Sequence, residues 1–265
     1  MGGRGSAYND LDYLNDISQE QKEEYIKLKL GSINDFFEDE ESEINDENFK
    51  KLKSLNVSMR KSTDNLNRDN LKIKQEQAII LCKEYRDYFK ETPQDIQFAG
   101  ENIRYNEVGG YTSSYYNQGP VIRMVLDSKR VNNPQWEKEI IERSCKEHHH
   151  ASINTRDNAD KYIVTHEMGH VIEHLLFERL RKNNANNRNY YDDKWLAIKV
   201  RGEVEEICKN KYTKKGEPVK MNISLYSRQN SQEWFAETFT NLHLSDEPLP
   251  VALALSEYLD NYKEN

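Results

Sequence analysis

The sequence predicts an α+β fold: a small twisted sheet, then an apolar helix and further C-terminal helices, with a mainly helical region in front. Three observations predict it. Short runs rich in β-branched and aromatic residues cluster between positions 96 and 126, separated by glycines. Apolar residues recur at helical spacing on both sides of that cluster. Prolines and glycines stand at the junctions.

Taken in order, residues 1–93 read as a charged, helical N-terminal region and residues 94–265 as the unit that carries the chemistry. Within the first, the acidic run Glu38-Asp39-Glu40-Glu41, followed by Glu43, Asp46 and Glu47, is expected to be a solvated linker. Across residues 66–91, Leu71, Ala78, Leu81, Tyr85, Tyr88 and Phe89 are spaced for one amphipathic helix, which Pro93 ends. Strands are expected at 96–98, 103–108, 111–116 and 121–126, divided by Gly100, Gly109-Gly110 and Gly119-Pro120. Pro134 suits a first helical position and predicts a helix through Lys146. Further helices are expected near 160–181, 192–210, 231–243 and 249–262, with 183–189 an exposed Asn-rich loop and no internal repeat.

Composition narrows the function. The chain has 265 residues, 36% hydrophobic and 32% charged, so one or two domains are expected. With 38 basic and 46 acidic residues its net charge is −8, which argues against a surface built to neutralise phosphates, and no nucleic-acid partner is expected. No apolar run approaches the roughly 18–20 residues of a membrane span, and Met1-Gly2-Gly3-Arg4-Gly5-Ser6 lacks the apolar core of a Sec signal. Cys82, Cys145 and Cys208 are odd in number and far apart, as reduced thiols are. Cytoplasmic synthesis is the expectation, with export by a non-Sec route left open.

The chemistry centres on His166-Glu167-Met168-Gly169-His170. Histidines four apart share one face of a helix and can share one tetrahedral zinc ion, while the intervening Glu167 reaches the metal's water as general base. The apolar Ile163, Val164, Val171, Ile172, Leu175 and Leu176 would anchor that helix in a core, and Asp160 is the expected N-cap. A catalytic zinc needs a third protein ligand, and Glu233 is the candidate. It lies in an apolar segment where a carboxylate needs a partner, and Glu237, four residues on, could accept the free ring N–H of a ligand histidine. On the residues alone, the alternative that these groups lie on ordinary amphipathic helices stays open.

The segment from Tyr226 through Glu233-Trp234-Phe235-Ala236-Glu237 to Phe239, taken with the upstream histidine motif, resembles the catalytic domain of anthrax lethal factor and its relatives, gluzincin-type zinc peptidases. In that family a tyrosine lies seven residues before the glutamate ligand and a second glutamate follows four residues after it. Gly109-Gly110-Tyr111 also resembles the family's turn before a sheet strand. The likeness covers about residues 95–262 and departs from the pattern at His174 and in the Asn-rich insertion. It implies a zincin-like fold, one Zn2+ per chain on His166, His170 and Glu233, and endopeptidase activity. It also implies that Tyr226 donates a hydrogen bond to the oxyanion. An extended protein or peptide substrate would pair with a sheet edge in the 111–126 region.

Three features remain beside that reading. The opening six residues resemble the start of many tailed-phage proteins, which implies a virion-associated protein and admits a rival: a phage morphogenesis protein that keeps the zincin fold as scaffold. An exported toxin or effector protease is the other alternative. His148-His149-His150 reads as an exposed loop, with a cleft wall or second metal as the competing reading, and His174 as a packing residue beside the site.

Overall fold

The computed structural model describes residues 40–44, 46–91, 95–103, 109–115, 121–213 and 221–262. Glu40 and Glu41, at the end of the acidic run, are exposed but docked, pairing with Lys61 (2.9 Å) and Lys53 (2.8 Å). Asp46 caps helix α1 (Glu47–Lys53) by accepting from the Phe49 amide, and Phe49 and Leu52 turn inward. Strand β1 (Val57–Met59) follows, then α2 (Arg68–Glu84), capped by Asn67, and α3 (Arg86–Glu91). The single helix expected over 66–91 is thus two. It breaks at Tyr85, whose hydroxyl meets His243 Nε2 at 3.0 Å and whose ring lies 5.4 Å from that of Phe239, a tertiary contact the local spacing does not report.

Strands β2 (Asp95–Glu101), β3 (Gly110–Tyr115) and β4 (Val121–Asp127) complete a sheet of four strands among the described residues, in the order β1-β2-β4-β3. β1, β2 and β4 run parallel, with Val57 opposite Ile96 and Ile96 opposite Ile122. β3 runs antiparallel to β4 and forms one edge, with Tyr111 opposite Val125. Ile103 lies outside any strand, and positions 104–108 of the expected strand lie outside the described residues.

After the short α4 (Ser128–Val131), helix α5 (Pro134–Lys146) begins on Pro134 as expected. The short α6 (Thr155–Asn158) leads into α7 (Tyr162–Asn183), 22 residues long. Every residue from Tyr162 to Phe177 is buried, so α7 is enclosed on all sides, as a central core helix is. Asp160 does not cap it: α7 starts without a side-chain cap, and Asp160 instead offers its carbonyl to Lys74 Nζ at 2.8 Å. Next come α8 (Asp193–Ile207), capped by Asp192, and a π turn at Cys208–Tyr212. The chain then forms α9 (Ser231–Leu244), capped by Asn230, and α10 (Pro250–Asp260).

α7 packs against β3 and β4 on one side and against α9 on the other. A Cβ on Gly169 would stand 3.0 Å from Ala236 Cα, so the absence of a side chain there lets α7 and α9 cross with backbones nearly touching. That crossing sets the histidines of one helix against the glutamates of the other.

The expected boundary at residue 93 does not divide the packing of the described residues. β1 pairs with β2, and one continuous apolar core runs from Phe49 and Leu71 through Phe98 and Val171 to Leu259. Lys74 on α2 is fully buried 2.8 Å from Glu137 on α5, and Asn70 donates to the same carboxylate at 3.1 Å. Composition marked the N-terminal part as charged, yet its apolar face belongs to the shared core. No helix among the described residues is long and apolar enough to cross a membrane.

Candidate metal centre

His166 and His170 lie one turn apart on α7, and Glu233 sits in the first turn of α9, where the Asn230 side chain accepts from its amide at 2.8 Å. Glu233 Oε2 is 3.2 Å from His166 Nε2 and 3.5 Å from His170 Nε2. The three buried donor atoms fall within 4.8 Å of one another, and the group could hold a metal ion. Burial works to raise the Glu233 carboxyl, but the two histidines outweigh it and bring it down to about 2. Burial likewise opposes a positive His166, and hydrogen bonding to Glu233 and Glu237 still raises it to about 9. Glu233 Oε1 is buried without a hydrogen-bond partner among the described residues. Two imidazole nitrogens, a carboxylate held ionised and a spare buried oxygen fit a divalent cation of the nitrogen- and oxygen-binding kind.

Glu167 points from the same helix toward the sheet edge. Its Oε2 accepts from Thr112 Oγ1 on β3 at 2.8 Å, and the same hydroxyl lies 3.2 Å from the Glu167 carbonyl. Gly110 makes room for it, because a Cβ there would meet Glu167 Cγ at 3.1 Å and the Val125 carbonyl at 2.7 Å. Burial raises the Glu167 carboxyl, and the two histidines oppose that rise.

Glu237 is fully buried behind His166. It accepts from the Ala151 amide at 2.6 Å, from Ser224 Oγ at 2.6 Å and from the Tyr162 hydroxyl, and its Oε1 lies 3.1 Å from His166 Nδ1. Burial would raise it, yet His150 and His166 hold it well below the usual carboxylate range. The two groups of the expected pairing, Glu237 and the candidate ligand His166, therefore stand in close approach, with His166 Nδ1 making no hydrogen bond among the described residues.

Tyr226 begins a 3-10 turn and is buried, its ring 5.8 Å from that of His166 and 5.3 Å from that of His150. The turn is pinned to the histidine run: the Leu225 amide donates to the His148 carbonyl at 2.9 Å and the Tyr226 amide to the His149 carbonyl at 3.0 Å. His148 and His149 are exposed, as expected of a loop, but His150 is partly buried and faces Glu237 Oε1 at 3.6 Å. His148 adopts φ 57, the left-handed backbone that reverses the chain toward the site. His174 is buried and is not one of the three candidate ligands, and burial pulls its imidazole down to about 3.

Sequence reasoning missed Thr112, Ala151, Ser224, Tyr162 and Glu173. Tyr162 and Glu173 could have been found, since they lie four residues before His166 and three after His170 on the same helix; Thr112, Ala151 and Ser224 come from other segments with no shared spacing. No protein-family model, curated protein or solved structure matches the chain.

Proposed function

We propose that the chain is a zinc-dependent endopeptidase with a zincin-like catalytic domain, in which His166, His170 and Glu233 hold the metal. The observation that carries this reading is the convergence of those three groups beside a fourth, Glu167, whose carboxylate is under the electrostatic influence of His166 and His170 but bonded to the sheet edge rather than to the cluster. Held by His166, His170 and Glu233, zinc would lower the pKa of a water toward 7 and polarise the scissile carbonyl. Glu167 takes the proton of the attacking water and delivers it to the leaving amine. Thr112 holds one carboxylate oxygen of Glu167 and so leaves the other for that transfer. The Tyr226 hydroxyl donates to the oxyanion as negative charge develops there. β3, the antiparallel edge beside Glu167, is the strand along which an extended peptide would pair.

The test joins metal analysis to cleavage of a peptide library. The wild-type chain should carry about one zinc equivalent, and Glu167→Gln should keep it while losing about two to four orders of magnitude in turnover. Less than about half an equivalent after reloading, or metal lost in step with activity in the Gln variant, would overturn the assignment.

A further inference from the structure

Glu173 lies on α7, three residues after His170 and 1% exposed, and neither of its carboxyl oxygens has a hydrogen-bond partner among the described residues. A buried carboxylate without donors is costly, so its presence calls for a compensating group. Its Oε2 stands 3.8 Å from His170 Nδ1, whereas His170 turns its other nitrogen, Nε2, to Glu233. His166 is arranged in parallel, with Nε2 toward Glu233 and Nδ1 toward Glu237 at 3.1 Å. The two carboxylates differ in one respect. Glu237 is already saturated by Ala151, Ser224 and Tyr162, while Glu173 lacks any such donor.

We propose that Glu173 is the positioning carboxylate of His170, as Glu237 is of His166. When a metal takes the lone pair of Nε2, the ring proton must sit on Nδ1, and a small rotation of either side chain brings Nδ1–H within hydrogen-bonding distance of Glu173. The carboxylate fixes tautomer and ring orientation and strengthens the nitrogen as a donor to the metal. The compensation that Glu173 lacks is supplied by metal binding, so metal affinity and the stability of the protein stripped of metal pull in opposite directions at this residue. The inference rests on the metal reading given above.

The test measures zinc affinity of the full chain by chelator competition, together with melting temperature before and after zinc addition, for wild type, Glu173→Leu and Glu173→Gln. Leu, which removes the acceptor, should weaken zinc binding about 10- to 100-fold. Gln, whose carbonyl oxygen still accepts, should weaken it less. Both should leave the melting temperature of the stripped protein unchanged or higher and shrink the rise that zinc produces. Unchanged zinc affinity in both variants overturns the inference and leaves the metal reading standing. A stripped protein that melts lower or fails to fold in both variants also overturns it, since the carboxylate would then be structural. A wild-type chain that binds no zinc overturns the metal reading itself and this inference with it.

Discussion

Glu237 accepts from a helix tyrosine, a loop amide and a turn serine besides facing His166, so one side chain ties together three segments around the candidate ligands. Tyr226 rides on that junction. On the proposed reading, Tyr226→Phe lowers kcat about 10²-fold or more, with zinc content, melting temperature and KM little changed. A Phe variant with near wild-type kcat on an authentic substrate would reduce the tyrosine to packing. His174 makes a different prediction. The native protein holds it neutral, with a pKa near 3, and the unfolded chain protonates it near the ordinary 6.5. Its contribution is therefore fully present above that ordinary value and is lost as pH falls toward the native one, by at most about 1.4 kcal/mol per pH unit. His174→Leu should flatten the acid limb of melting temperature against pH, and an unaltered limb would assign acid lability to other groups. The two histidines of the candidate group were legible in the sequence because helical geometry puts positions four apart on one face, and Glu233 because a carboxylate in an apolar segment needs a partner. Thr112, Ser224 and Ala151 were not, because chain folding brings them in across 55, 13 and 86 residues.

At the scale of elements, the site depends on how closely α7 and α9 approach. Gly169→Val would push branched carbons into Ala236 and the Phe239 ring, so we expect a loss of about 1–3 kcal/mol in urea denaturation together with weakened zinc binding. Retained affinity with only the stability loss would show that the crossing tolerates separation. The long helices were legible as elements because their apolar periodicity extends over several turns. The break at Tyr85 and the strand β1 were not. A kink set by contact with His243 and Phe239 leaves no local signature, and three residues are too few for alternation to show.

For the molecule as a whole, the described part of the N-terminal region is a structural member and not an appendage. Lys74 reaches from α2 to buried Glu137 on α5 and to the carbonyl of half-buried Asp160 just before α7. Lys74→Met leaves Glu137 with Asn70 as its remaining donor among the described residues and should cost about 3–5 kcal/mol in urea denaturation. The double variant Lys74→Met/Glu137→Met should recover most of that loss, because no charge is left unpaired. A chain beginning at Gln94 should fail to give a cooperative transition, and one that melts cooperatively with zinc bound would show that the later elements suffice. Composition was a poor guide here. The packed face of α2 mixes apolar positions such as Leu71, Ala78 and Leu81 with buried polar ones such as Asn70 and Lys74, which composition counts with the solvated residues.

The candidate metal ligands are separated along the chain as well as assembled in space: His166 and Glu233 lie 67 residues apart. At about 5–20 residues per second, a ribosome adds that stretch in roughly 3–13 s, during which the histidines exist without their carboxylate partner. The growing polypeptide therefore cannot assemble its candidate metal centre until α9 has been made and has docked across Gly169. On the proposed reading, order of synthesis alone delays any attack by the nascent chain on itself or on its neighbours.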